Sequence, residues 1–558
     1  MNKYWKDNSP AIIFFSLMAI LLLWQMLLPG YVLTLDMIFG PKIKFLFTPD
    51  GFFNNLPFRV LLNFFSLVIP VWVIQKIILI LLFFLVGYLA YYFLPVPKKY
   101  YANFWAGLFY LANPFVYERF LAGQYLLLFA YALFPPLVYF LFAFFAKPNL
   151  KNSLWLVIIL CLISVFSIHF LIIALLISII YSLYHFLRQI LSKNYKDFKK
   201  SLLHSLIIIV LLLIFISYWF IPYLLNYNHS VLNTFDQRHW QAFATSADSH
   251  LGTALNVLAL YGFWGENQNW AKYFLWAKDS YWFWLIMLFL LWGLILIGFY
   301  RTQKDKSPGR FFWLLLAGLG FVFSCGVGRT WLLPINDWLF KNIWFWSGFR
   351  DSQKWSILLV LSFAYFGSFG VYGILDKIQK YQPKLINYFL AILFLIVGLY
   401  TYPIWGGFAR QLKPVWYPAD WSEVNKILNQ DDSEFKVLFL PWHQYLSLKF
   451  NQNLITLNPA LEYFDKPIIQ GENIELGQIY SQGGDQLTNQ VQDILLAAMP
   501  NQQSETIEKL SQLNIKYIIV AHDLDWLDSL ANFYPVETGD LGKAWAGSDL
   551  TLYKIMLR

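Results

Sequence analysis

Apolar runs separated by short polar connections fill the chain up to about residue 405, and a different pattern takes over beyond it. Runs of about 17–25 apolar residues are long enough to cross a bilayer as helices. The pattern predicts about eleven such spans. They lie at 11–33, 60–94, 103–116, 125–146, 153–166, 168–187, 203–225, 281–299, 311–328, 355–375 and 386–405. The 60–94 run is too long for one perpendicular span, and Pro70 and Lys76 are where an interfacial helix would give way to the true one. The 153–187 run would make roughly 50 Å of unbroken helix, so a break is placed at Ser167-Ile168-His169. The first span has the charged start of a signal peptide, but its apolar core is long and no small-residue cleavage site follows. It is read as a retained anchor.

Beyond residue 406, Pro414 and Pro418 mark an entry, and helical and strand-like stretches alternate. Residues 434–440 and 515–520 read as buried strands, and 550–556 as an edge strand. Ser504 with Glu508 opens a helical stretch to Leu513, while Asn458-Pro459, Gly471 and Gly483-Gly484 punctuate loops. About 150 residues suffice for one α/β domain with its own core. The fold class is therefore a polytopic α-helical membrane protein over 1–405, with a C-terminal α/β domain over 406–558.

Composition agrees. Of 558 residues, 58% are apolar and 13% charged, where a soluble domain carries roughly 25% charged. With 54 Phe, 35 Tyr and 25 Trp, the chain is also not a disordered polypeptide. Its two cysteines, Cys161 and Cys325, lie inside apolar runs and supply neither a disulfide framework nor a four-ligand zinc site.

The net charge of +9 raises the question of nucleic acid, and its distribution answers it. Residues 1–405 hold 30 Lys and Arg against 13 Asp and Glu, whereas 406–558 hold 11 against 19. If the N-terminus is cytoplasmic, the inner connections are 1–10, 95–102, 147–152, 188–202, 300–310 and 376–385, with 18 Lys and Arg in 60 residues. The outer ones, 34–59, 114–124, 226–280 and 329–354, hold 11 in 118. That asymmetry is the positive-inside rule, clearest at Lys193, Lys196, Lys199 and Lys200 and at Arg301, Lys304, Lys306 and Arg310. The positive charge sets topology and calls for no nucleic acid. The tail is then extracytoplasmic, on a multi-pass protein of the plasma membrane.

Ionisable residues are sparse within the spans and carboxylates absent, with Lys76 and His169 the exceptions singled out, which counts against a proton-coupled carrier. The chemistry gathers instead at the outer ends of spans, at four sites. Asp36, in Gly30–Pro41, stands in a mostly apolar loop, where partial desolvation would raise its basicity; the alternative is a solvated loop carboxylate. Glu118 and Arg119, in Asn113–Gln124, suit a sugar or a phosphate, or else form an interfacial salt bridge. His169 is either a ligand or a satisfied helix-end residue. In Trp344–Trp355, one helical turn would put Arg350 and Lys354 on one face beside Asp351, offering a guanidinium fork and a point charge to phosphate at an opening helix. Anchoring at the membrane edge is the rival reading. All four fall on one face of the predicted bundle, which suits a substrate with a lipid tail and a phosphate-sugar head. No phosphate loop, HExxH or GxSxG competes.

The arrangement resembles the GT-C class of polytopic glycosyltransferases, and within it the YfhO-like membrane proteins and the mycobacterial arabinofuranosyltransferases. The residues that carry the resemblance are Asp36 in the first outer loop, Asn113-Pro114 with Gly123-Gln124, Gly348-Phe-Arg350-Asp351, and Leu513–Val520 in the tail. It implies transfer of a sugar from a polyprenyl-phosphate donor to an envelope glycan, or to a lipid or protein acceptor, amid membrane lipids. Asp36 would be the general base, Arg350 and Lys354 would hold the phosphate, and Glu118 and His169 would position the sugar. In the tail, Trp442, His443 and Tyr445 would form an aromatic surface for acceptor or glycan, with core packing beside strand 435–440 as the alternative. The two-carboxylate DxD of several GT-C families is missing from the second outer loop, so a divalent cation stays an option and no cofactor is assigned. The competing classes are a flippase or transporter of lipid-linked oligosaccharide, which needs a polar path through the spans, and a non-catalytic scaffold for envelope assembly.

Overall fold

A computed structural model describes residues 2–45, 52–96, 100–248, 250, 252–268, 270–273, 280–305, 309–476, 479–481, 483–499, 503–522, 524 and 533–556. Lys306, one of the expected topology determinants, lies outside the described residues. Among the described residues, nine helices are long and apolar enough to cross a membrane. They are Asn8–Leu27, Val71–Phe93, Tyr125–Ala146, Ile168–Leu191, Tyr195–Leu225, Tyr281–Lys304, Arg310–Gly328, Ser352–Tyr381 and Pro383–Tyr400. Each coincides with an expected span, and the chain is a multi-pass membrane protein.

The two remaining expected spans are shorter helices, Tyr100–Leu111 and Leu150–Phe166. At 1.5 Å per residue they reach roughly 18 and 26 Å, short of the hydrocarbon thickness. Both still run antiparallel to their predecessors: Asn103 donates to the Tyr91 carbonyl, and Asn152 to that of Ala143. The break at Ser167 is where it was expected. Its backbone turns extended (φ −159°, ψ 118°), and its hydroxyl caps the next helix by accepting from the Phe170 amide.

The 60–94 run divides at Pro70, which ends the linker between helix Leu56–Ser66 and the span Val71–Phe93. Helix Leu56–Ser66 leaves Val60, Leu61, Phe64 and Phe65 exposed, as an interfacial helix does. Lys76 does not mark that boundary. It lies inside the span, buried.

The hub of the bundle is helix Ser352–Tyr381, buried along most of its length. It packs closely on Tyr281–Lys304 because Gly298 and Gly370 face the partner backbone: a Cβ on either would run into the Phe366 or Leu294 carbonyl oxygen.

The tail builds a five-stranded mixed sheet. Ile468–Ile469, Lys436–Leu440 and Ile515–Ala521 lie parallel in that spatial order, and Leu550–Ile555 and Leu541–Ala546 continue it antiparallel. Alternation along Lys436–Leu440 feeds two cores. Val437 and Phe439 face Trp421, Val424 and Leu428 of helix Ala419–Asn429, while Leu438 and Leu440 face Val491, Leu495, Ile507 and Leu510 of helices Gln486–Ala497 and Gln503–Gln512. The expected strands and the 504–513 helix are present. Leu550–Ile555 is not an edge strand, however. It is flanked on both sides, because Leu541–Ala546 takes the edge.

A small hairpin, Tyr445–Ser447 with Ile455–Leu457, ties the tail to the first loop of the bundle. Leu35 donates to the Ile455 carbonyl (3.0 Å) and accepts from the Leu457 amide (2.7 Å). Tyr31 and Val415 exchange a second pair of backbone bonds, and Arg59–Glu462 and Lys42–Asp465 add ion pairs at 2.7 Å.

Candidate active site

Local sequence explains how each polar side chain reaches the common mouth of the bundle. Asn113 caps helix Pro114–Leu121: its side chain accepts from the Val116 amide and donates to the Phe109 and Tyr110 carbonyls. Pro114 supplies the first helical position, where no amide is missed. That helix carries Glu118 and Arg119 inward, both fully buried. Gly123 then turns the chain at φ +74°, and a Cβ there would collide with the backbone of Thr34–Met37. Glycine thus lets the first loop lie against Ala122, whose carbonyl accepts the Asp36 amide at 3.2 Å.

These elements assemble two layers. In the buried layer, Arg119 grips Asp351 through both terminal nitrogens, at 2.5 and 2.9 Å. It also donates to Gln353 through Nε at 2.9 Å and to Gln124 Oε1 at 2.9 Å. Gln353 passes the chain on to Glu118 Oε2 at 3.0 Å. Beside Glu118 stands Glu266, held by the Asn256 side chain and the Gly262 amide. Burial first, and then the neighbouring Glu266, push Glu118 well above the ordinary carboxylate range. Burial alone would raise Asp351, but Arg119 overrides it and holds that carboxyl low.

The outer layer is partly exposed and consists of Asp36, Gln124, His169, Arg350 and Tyr445. Asp36 accepts from Gln124 Nε2 at 3.2 Å and from the Tyr445 hydroxyl at 2.9 Å. Burial raises its basicity, and those two bonds with Lys354 offset the rise only in part. Arg350 sits between Phe235 and Phe243, 4.1 and 4.7 Å from their ring centres. Its Nε is buried without a hydrogen-bond partner among the described residues. Burial brings its guanidinium down to about 10, against the pull of Asp351, Tyr445 and Asp36. Lys354 Nζ lies 3.9 Å from Asp351 and 3.4 Å from His169 Nε2, and His169 Nε2 is 2.8 Å from the Gly348 carbonyl oxygen.

The structure therefore brings Asp36, Glu118, Arg119, His169, Arg350, Asp351, Lys354 and Tyr445 into one cluster. Arg350 and Lys354 do not share a helical turn, because the backbone breaks at Asp351 (φ −80°, ψ 83°) between two short 3-10 turns. Trp442 and His443 are elsewhere: Trp442 is fully buried in the tail core and donates to Gln492, and His443 pairs with Glu475 at 2.8 Å. Packing describes those two. Gln124, Gln353 and Glu266 complete the network, and the sequence assigns none of them a role, although Gln124 is among the residues that carry the resemblance. The two glutamines stand inside the segments singled out but carry no charge, and Glu266 is a lone carboxylate in an aromatic run, Phe263–Trp270.

Among the described residues no group of three His, Cys, Asp or Glu has the geometry to hold a metal ion. Asp351 is engaged by Arg119, and Glu118 by Gln353 and Glu266. These carboxylates do not make a divalent-cation site.

No family model and no curated protein matches the chain. Solved structures do. The arabinofuranosyltransferase AftD from Mycobacteria superposes with a TM-score of 0.59 at 14% identity, over 98% of this chain and 40% of that one. A mutant form of the same enzyme gives 0.56 at 13% identity, over 98% and 41%. The chain thus spans about two fifths of the length of the proteins it matches. At this identity the likeness is one of fold, and the fold is that of the GT-C membrane glycosyltransferases.

Proposed function

We propose that this chain is a membrane glycosyltransferase that moves a sugar from a polyprenyl-phosphate donor to a hydroxyl of an envelope glycan, or of a lipid or protein acceptor. One observation carries the reading. A partly exposed carboxylate of raised basicity, Asp36, shares a site at the bundle mouth with Arg350, a cation that has no carboxylate within 4.0 Å among the described residues. Asp36 takes the proton from the acceptor hydroxyl as its oxygen attacks the anomeric carbon. The bond from that carbon to the phosphate oxygen breaks, and the polyprenyl phosphate leaves with the electron pair. Arg350 and Lys354 hold that charge in a site of low dielectric. His169 lies against Lys354 and positions donor or sugar from the same side. Glu118 and Arg119, fully buried, act by holding Asp351, Gln353 and Gln124 in place rather than by touching substrate.

Truncating Arg350 leaves the phosphate without its partner. A hydrogen bond to a charged group is worth about 1.5–3 kcal/mol, so Arg350→Ala should raise the donor KM roughly 10- to 100-fold with a smaller change in kcat. Titrating initial rates against a polyprenyl-phosphate sugar checks this, and an unchanged KM removes Arg350 from the phosphate.

The same reading puts the site, the 406–558 tail and the acceptor on the extracytoplasmic face, with the N-terminus in the cytoplasm. Reporter fusions after residues 195, 305 and 380 should register the cytoplasm, and one after 410 the exterior. A cytoplasmic signal at 410 would move the site to the wrong side for envelope acceptors.

A further inference from the structure

The contact between tail and bundle falls on the catalytic carboxylate itself. Leu35, immediately before Asp36, is hydrogen-bonded on both sides to the strand Ile455–Leu457. In that hairpin Tyr445 pairs with Leu457. Asp36, in the turn after Leu35, and Tyr445 thus stand on the two segments that flank Ile455–Leu457, although 409 positions separate them in the chain. A slip of one residue in the hairpin would turn Tyr445 to the other face, away from Asp36. The Tyr445 ring stacks on Trp270 (centroids 6.3 Å apart, 19° between planes), and its hydroxyl donates to Asp36 Oδ1 at 2.9 Å.

Six groups face the Asp36 carboxylate: Gln124, Tyr445, Lys354, Asp351, Arg350 and Tyr273. Tyr445 alone comes from the tail. Gln124 and Tyr445 each take one oxygen, so together they fix the plane of the carboxylate and leave its remaining lone pairs for an incoming proton. Burial and the adjacent Asp36 charge keep the phenol protonated far above neutral pH, and it remains a donor across any working range.

We infer that Tyr445 is a positioning residue for Asp36, and that the tail completes the candidate active site by delivering it. This rests on Asp36 being the general base of the proposed transfer. The hydroxyl stabilises the ionised carboxylate and, with Gln124, counters part of the burial that raises Asp36. It lowers the pH at which the base becomes available and aims it.

The test reads Asp36 directly on the full chain in lipid nanodiscs. N,N′-dicyclohexylcarbodiimide modifies protonated carboxyl groups, and peptide mass spectrometry gives the extent at Asp36 as a function of pH. Tyr445→Phe keeps the ring and its stacking and removes only the hydroxyl. The labelling midpoint should rise by about one pH unit or more, on the scale of one hydrogen bond to a charged group. Tyr463→Phe, which removes a tail hydroxyl away from the cluster, should leave it in place. With a polyprenyl-phosphate sugar as probe, the acid limb of kcat should move up alongside while the donor KM holds. An unmoved labelling midpoint in Tyr445→Phe overturns the inference, even where wild-type protein transfers sugar and Asp36→Asn does not. A shifted midpoint in a protein that transfers no sugar upholds the contact and removes the glycosyltransferase reading instead.

Discussion

Asp36→Asn should cut sugar transfer by about two to four orders of magnitude, the usual contribution of a general base. Asparagine keeps the shape and one acceptor oxygen, so Tyr445 still has a partner, but the amide cannot take the acceptor's proton. Folding should change little: Asp36 sits in a loop, and its two donors are neutral side chains that are themselves partly exposed. The loss should therefore appear in kcat, with the donor KM and the thermal midpoint near wild type. The pH profile adds a signed check. Burial places the Asp36 carboxyl above the ordinary carboxylate range, so as pH falls the wild-type rate should drop earlier than an exposed aspartate would allow. In Asp36→Asn that limb should vanish from the residual rate.

Arg119→Met should do the reverse and act first on stability. The guanidinium is fully buried and satisfies Asp351, Gln353 and Gln124 together. Removing it leaves the Asp351 charge buried without its partner, and breaking a buried pair in this way costs about 3–5 kcal/mol. Arg119→Lys should recover little, because one ammonium cannot reproduce a fork that serves three acceptors. Adding Asp351→Leu to Arg119→Met should restore much of the lost stability while transfer stays low. The pH dependence follows from the depressed Asp351 carboxyl: its stabilising contribution is present above the unfolded-state pKa and is lost as pH falls through the folded one. Melting curves in detergent by tryptophan fluorescence, across pH, check both statements. An Arg119→Met protein as stable as wild type would show that the pair contributes nothing.

Much of this arrangement can be read along the chain because membrane burial writes itself in one dimension. Apolar length located the spans, the long run from 153 to 187 demanded the break found at Ser167, and charge in apolar surroundings marked Asp36, Glu118, Arg350 and Lys354. Hydropathy does not report depth, so the short helices Tyr100–Leu111 and Leu150–Phe166 counted among the spans, and Lys76 looked like a boundary although it is buried inside one. Alternation along 550–556 gave the strand but not its neighbours, since Leu541–Ala546, which covers it, shows little alternation of its own. The network itself was beyond reach. Arg119 meets Asp351 across 232 positions, and Tyr445 meets Asp36 across 409. Neither local period nor charge pattern carries such pairings, and the bridging Gln124 and Gln353 have no charge to draw attention. Trp442, three residues before Tyr445, looked equally suited to a glycan and is instead core. The choice between core and site for neighbouring aromatics is made by what each packs on, which their local sequence does not carry.

The most direct measurement is transfer by the purified full chain in nanodiscs, supplied with a radiolabelled polyprenyl-phosphate sugar and a hydroxyl-bearing glycan acceptor, with lipid and product separated chromatographically. Label should leave the lipid and appear in the acceptor, one polyprenyl phosphate being released per sugar moved, and Asp36→Asn should abolish at least about 99% of it, on the scale of a lost base. Label that crosses the bilayer still attached to its lipid would mean a transporter, and wild-type product in Asp36→Asn would contradict the central claim.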